Sequence, residues 1–172
     1  AVYKMAPLVL EIAKLNERLA SDVFLGKGTV VVSQIRSMGP SQCAVPDGCS
    51  LYLDRRLTAG ETRESAVAEI AAIVEAAGGT VRVPKYAQPA YTGKVYPTEK
   101  YYPTWAIAEN HPAVTHAAAA CRELFGEVPA IDKWTFSTNG VAICGMHGIP
   151  CVGFGPGLEE QAHAPDEWRP VE

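Results

Sequence analysis

The 172-residue sequence has no window near the eighteen or so consecutive apolar residues that a membrane-crossing helix requires. It shows no basic stretch leading into an apolar one, the pattern of a secretory signal. Lys and Arg nowhere form a run, and the formal net charge is −4. Phosphate-rich partners need a concentrated positive field, so neither nucleic acid nor an anionic membrane is expected. Cysteines are five, an odd number without CxxC spacing (Cys43, Cys49, Cys121, Cys144, Cys151). Reduced thiols of a cytoplasmic protein are the reading, with a Cys43–Cys49 bridge left open. Also missing are GxSxG, a P-loop, a GxGxxG that opens a helix, and His-Glu-x-x-His. Nucleophilic serine, phosphate-cradling and helix-borne zinc chemistry therefore have no local signature. A starting methionine is absent too, and Ala1 gives the expectation of a processed, trimmed or partial chain.

What is present is the composition of one ordinary domain or two small ones, 48% hydrophobic and 20% charged. Met5, Leu8, Ile12, Leu15 and Leu19 recur at helical spacing, although Pro7 belongs only in a first turn or at a kink. GTVVVSQIR (28–36) is β-branched and reads as a strand, and MGPSQCAVPDG (38–48) as a loop. CSLYLDRRL (49–57) alternates, with Cys49, Leu51 and Leu53 on one face and Tyr52, Asp54 and Arg56 on the other. Thr62 can cap a second helix through Val67, Ile70, Val74 and Ala77, stopped by Gly78-Gly79. TVRVP (80–84) reads as a short strand.

Helix, strand, strand, helix, strand fits a small α+β sandwich with both helices on one face of a sheet. A ferredoxin-like split β-α-β would need one more strand ahead of the first helix. Residues 85–104, rich in Pro, Tyr and Lys without apolar period, read as a connector and domain boundary. Beyond it a third helix is expected, capped by Asn110 with Pro112 in its first turn. Its inward positions would be Val114, Ala117, Ala118, Cys121 and Leu124. Then come a strand (130–136), a short helix over 137–148 capped by Ser137 or Thr138, and a buried strand (149–155).

Four histidines occur. His111 and His116 are five apart and share no helix face, and His147 suits a helix C-terminus, so these three read as structural or surface residues. His163 follows a strand end and a Gly-Pro-Gly turn, where open α/β sheets bind ligands. A neutral imidazole there is a natural metal ligand, though a loop histidine near a terminus needs no such role. Arg55-Arg56 ends a strand beside Asp54, as a solvated ion pair or as a carboxylate clamp. FSTNG (136–140) offers hydroxyls and N–H groups for an oxyanion, or an ordinary helix cap.

Taken in order, SQCAVPDGCSLYLDRRLTAGET, KWTFSTNGVAICGMHGIPCVGFGPG and AHAPDEW resemble the zinc metallohydrolases of the acetylornithine deacetylase, succinyl-diaminopimelate desuccinylase and carboxypeptidase G family. The branch of selenium-metabolism hydrolases is the most similar. The resemblance implies an α/β chain of two parts. Residues 1–95 would be a ferredoxin-like lid, or dimerisation, domain lacking its first strand. Residues 96–172 would be the C-terminal part of a zinc-peptidase-like catalytic domain. It places the family's last metal ligand on His163 and the arginine that grips the substrate carboxylate on Arg56. A polar lid contact falls near Gln42, where Gln42-Cys43 replaces the family's asparagine. The pocket turn falls on Ser137, Thr138, Asn139 and Gly140, with Phe136 where the family has glycine.

The family's His-x-Asp strand, bridging Asp and Glu-Glu pair have no counterpart in this sequence. The resemblance therefore implies a fragment of a homodimeric hydrolase. With two zinc ions, or cobalt or manganese, such an enzyme cleaves the amide of an N-acylated amino acid or small peptide. The chain alone is expected to be inactive. A non-catalytic dimerisation or interaction module is the alternative.

Overall fold

A computed structural model describes residues 1–155 and 157–169. The chain divides into two units, Ala1–Thr104 and Trp105–Glu172.

In the first unit the apolar spacing of residues 5–19 becomes helix α1 (Val2–Glu17), which starts at Ala1 and keeps Pro7 inside it. Strands β1 (Ser21–Asp22) and β2 (Gly26–Lys27) form a tight hairpin, its turn held by the Asp22 carboxylate, which accepts from the N–H groups of Phe24 and Leu25. Strand β3 (Thr29–Met38) pairs antiparallel with β4 (Gly48–Arg56). Between Val32 and Gln34 the register slips, so Ser33 has no partner in the ladder, and its Oγ donates instead to Tyr52 O at 3.2 Å. Beyond the slip Gln34 faces Tyr52 and Ile35 faces Leu51.

Helix α2 (Arg63–Val74) begins in a reciprocal cap: Thr62 Oγ1 accepts from Ser65 N at 3.1 Å, and Ser65 Oγ accepts from Thr62 N at 2.9 Å. A 3₁₀ turn over Glu75–Ala77 ends it at Gly78, whose φ of 73° is left-handed and suits glycine. Thr62→Ala is expected to destabilise the chain by about 1 kcal/mol, read as a lower urea midpoint with an unchanged slope.

The core lies where α1 and α2 cover one face of the β3–β4 ribbon. Ile12 and Leu15 of α1, Leu19, Val30, Ile70 and Val74 are buried there, with Val32, Leu51, Leu53 and Val81 packed around them. The period-2 pattern of β4 carries through: Leu51, Leu53 and Arg55 turn inward, Tyr52, Asp54 and Arg56 outward.

Residues 80–84 are not a strand, contrary to expectation. Val81 packs on the core, but among the described residues β4 bonds only β3, so no ladder reaches TVRVP. Residues 85–104, expected to be a plain connector, contain a hairpin instead. Strand β5 (Lys85–Tyr86) pairs with β6 (Thr98–Glu99), and Pro89 bridges to Val95. Pairs of two residues interrupted by prolines leave no period to read.

The second unit holds helix α3 (Pro112–Phe125), ended by Gly126 at φ 79°. Its cap is His111, not Asn110: the Nδ1 atom accepts from Ala113 N at 3.1 Å. Val114 is buried and Ala117, Ala118 and Cys121 are half-buried, but Leu124 is exposed, against expectation. The turn before residue 141 leads into a π-helical segment, Val141–Met146, following Gly140 rather than a side-chain cap on Ser137 or Thr138. Neither 130–136 nor 149–155 forms a strand. In the former, the N–H groups of Thr135 and Phe136 donate to the Glu159 carboxylate, so a side chain takes the place of a neighbouring strand.

Candidate functional site

Arg56 lies at the end of β4 with its side chain 59% exposed. Its Nε donates to both carboxylate oxygens of Asp54 at 3.0 and 3.3 Å, and Nη2 to Oδ2 at 3.2 Å. The fork is thus aimed at solvent and held by a carboxylate two residues back on the same face of the strand. An exposed pair of this kind contributes about 1 kcal/mol or less, so an incoming carboxylate can displace Asp54 at low cost.

The neighbouring arginine, expected beside Arg56 as a solvated ion pair or a carboxylate clamp, is largely buried instead. Arg55 turns to the inner side, 10% exposed, and donates to Glu61 and to Glu69 of α2, the latter at 3.0 Å. Burial works against its charge, but the hydrogen bonds to Glu61 and Glu69 outweigh it and hold its pKa above the ordinary arginine value. Glu61 also accepts from Thr58 N at 2.7 Å, and Thr58, fully buried, donates through Oγ1 to Gly26 O at 2.6 Å. A Cβ on Gly28 would stand 2.8 Å from Arg55 Nη1, so glycine is needed there. Arg55 Nη1 donates as well to the carbonyl of Arg56. The exposed arginine therefore rides on a backbone tied to a buried ion cluster. The signal was available: an arginine on the apolar face of a strand must find acids on the layer above it.

Gln42 sits exposed in the loop between β3 and β4, in a turn closed by Ala44 N donating to Ser41 O at 3.3 Å. Met38 pairs with Gly48 at that end of the ribbon, while Arg56 pairs with Thr29 at the other. Eight strand steps at about 3.3 Å put roughly 26 Å between the two ends. The fold does not bring Gln42 and Arg56 of one chain together.

The second unit gathers the other predicted residues. His163 is exposed and has φ 62°, an uncommon left-handed backbone for a residue with a side chain, and Asp166 has φ 59°. His163 N donates to Glu167 Oε2 at 3.1 Å, closing the AHAPDEW loop on itself. The imidazole meets the ring of Phe136 edge-on, centroids 5.5 Å apart. Phe136 directly precedes Ser137, so the histidine loop and the STNG turn are neighbours, and Glu159, just ahead of the loop, accepts from the N–H groups of Thr135 and Phe136, just ahead of the turn. Ser137, Thr138 and Asn139 are exposed, and Thr138 Oγ1 accepts from Gly140 N at 3.1 Å. Gly140 is buried against Trp105, where a Cβ would come within 2.3 Å of the indole. Glu159 had no signal in the sequence; its part depends on the two loops meeting.

All five cysteines are free thiols. Cys151 has its pKa raised, chiefly by burial and then by neighbouring Cys144. A groove of about 600 Å³ lies against α3, lined by Thr115, Ala118, Arg122, Val128 and Ile131 among others, and no predicted site residue borders it. Among the described residues, no group of three or more His, Cys, Asp or Glu side chains could hold a metal ion. Nor, among them, is any helix long and apolar enough to cross a membrane.

The ribbon and its two covering helices are the part that comparison recognises. Residues 1–81 match the peptidase dimerisation domain of the M20 family. Two curated relatives, both called Uncharacterized protein YgeY, come from Escherichia coli strain K12 and from Escherichia coli O157:H7. Each is 53% identical over 173 residues, covering 98% of this chain and 43% of the relative. The chain thus spans less than half the length of the curated relatives it matches. No solved structure matches it. The M20 dimerisation domain accounts for α1, the β3–β4 ribbon and α2, and for neither the 84–100 hairpin nor the His163 loop.

Proposed function

We propose that this chain contributes to a metal-dependent hydrolase that cleaves the amide bond of an N-acylated amino acid or small peptide. The match of residues 1–81 to a peptidase dimerisation domain carries the reading. The activity is proposed for a protein of the relatives' length, with residues 1–95 as a ferredoxin-like lid and 96–172 as part of the catalytic domain. The open edge of β4 and the unladdered TVRVP segment are where a further lid strand would fit.

In this reading Arg56 binds the substrate carboxylate through its guanidinium fork, exchanging Asp54 for the ligand. Ser137, Thr138 and Asn139 line the pocket floor and offer hydrogen bonds to the scissile carbonyl. Gln42, at the far end of the ribbon, would reach a site only in another copy. His163 is the metal ligand. Zinc accepts imidazole readily, yet a catalytic zinc takes about three protein ligands, and the described residues bring no second one to His163. The chain fits one corner of such a centre, with cobalt or manganese as other occupants. When bound, the metal supplies a water acidic enough to attack at neutral pH.

The test is a protein of the relatives' length, purified and assayed against N-acetyl amino acids and dipeptides, before and after chelation and with zinc restored. Hydrolysis that chelation abolishes and zinc restores is the expected result. Hydrolysis indifferent to chelation, or none with stoichiometric zinc bound, would overturn it.

A second reading is a homodimerisation module without catalysis. It is favoured by β3, which among the described residues bonds only β4 and leaves a ten-residue edge with Arg36 as its one charge. Such an edge is a template for a second copy of itself. A dimeric full-length protein that neither binds metal nor hydrolyses any of these amides would support it.

A further inference from the structure

The 84–100 hairpin stands out from the first unit as a built projection. Its base is fastened three ways. Lys100 N donates to Pro84 O at 2.9 Å, closing the ends together. Glu99 of β6 accepts from Arg63 at the start of α2, Nε at 3.0 Å and Nη2 at 3.3 Å. Lys100 Nζ reaches Tyr52 Oη of β4 at 3.3 Å and stands 5.3 Å from the centre of that ring. The tip is closed by Ala90 N donating to Lys94 O and Gly93 N to Ala90 O, both at 2.8 Å. Gly93 at φ 80° permits the turn.

Between base and tip, every residue from 85 to 98 is exposed. Tyr91 is bare of contacts at 103% exposure, and Tyr86, Tyr96 and Val95 are about half exposed or more. Pro84, Pro89 and Pro97 restrict the backbone, which lowers the entropy lost when such an arm docks. Tyrosines on a stiff, exposed frame are the composition of an interface anchor.

Charge chooses the partner. The hairpin carries Lys85, Lys94 and Lys100, and its one acid, Glu99, is taken by Arg63. Outside it the sequence has 12 basic and 18 acidic residues. A second copy of this chain is therefore a surface of opposite sign, and a phosphate-bearing strand would be repelled by everything but the arm. The hairpin also follows the dimerisation domain directly and is bolted to α2 and β4, two elements of that domain.

We propose that the 84–100 hairpin is a dimerisation arm whose exposed tyrosines and lysines seat against a second copy of this chain. The inference rests on the homodimer reading and adds to it a surface that lies beyond residues 1–81. Sedimentation equilibrium of residues 1–172 between about 1 and 100 µM tests it, with wild type expected as a dimer. The double variant Tyr91→Ser, Tyr96→Ser is expected to raise the dimer dissociation constant at least about thirtyfold. Lys85→Glu with Lys94→Glu is expected to raise it too and to flatten its dependence on salt. Both variants alter only exposed side chains, and unchanged circular dichroism separates lost pairing from lost folding. Wild type that stays monomeric throughout would overturn the arm and the homodimer together. A dimeric wild type whose variants pair as tightly would overturn the arm alone.

Discussion

Arg55→Ala is expected to destabilise the chain by about 3 kcal/mol, measured as the loss of unfolding free energy in urea. The magnitude follows from what remains. Glu61 and Glu69 keep their places under β4 with the guanidinium gone, and Glu61, 8% exposed, keeps one backbone donor at Thr58. Two carboxylates facing an empty space are worse than three apolar side chains would be. Hence Arg55→Met combined with Glu61→Gln and Glu69→Gln should recover most of the loss, because the cost lies in the unpaired charge rather than in a missing bond. A single variant as stable as the triple one would show that water already solvates the cluster. Arg56→Ala, removing an exposed partner of Asp54, should change stability by less than about 1 kcal/mol. Two adjacent arginines thus separate cleanly, one holding the fold and the other displayed by it.

His163→Ala, in a protein of the relatives' length, is expected to lower amide hydrolysis by about a hundredfold or more and to reduce bound zinc below the wild-type stoichiometry. The second readout matters. A loop merely loosened by the substitution would lose activity with its metal intact, whereas a lost ligand removes both. Phe136→Leu provides the comparison, since it takes away the ring against His163 without a ligand atom. Its metal content should match wild type, with a smaller loss in rate, as for a residue that only orients a ligand. If His163→Ala binds zinc at wild-type stoichiometry, the histidine is no ligand and its left-handed backbone is simply part of the turn.

The first unit was legible to the extent that its elements find partners within it. The α1 stripe, the β-branched run, the β4 alternation and the Thr62 cap all act over a few residues or against one another. Their periods therefore survive into the structure. TVRVP, AIDKWTF and IPCVGFG have the composition of strands, but a strand is a pairing, and composition cannot supply the neighbour. The Arg55 cluster and the Glu159 bridge were hidden for a related reason. Each joins residues whose closeness exists only after the chain has folded, fourteen positions apart for Glu69 and about two dozen for Glu159. His163 stood out as a candidate from its place after a glycine turn, and its edge contact with Phe136 could not be read from spacing at all.

Ser33 bears on how such a chain can change length. Because the ladder already runs past it without a partner, β3 carries one residue more than its pairing with β4 uses. Losing that residue would leave Val32 opposite Leu53 and Gln34 opposite Tyr52 as they are now. Among descendants of this sequence, a gap at position 33 would keep the register of the ribbon and cost it the hydrogen bond from Ser33 Oγ to Tyr52 O.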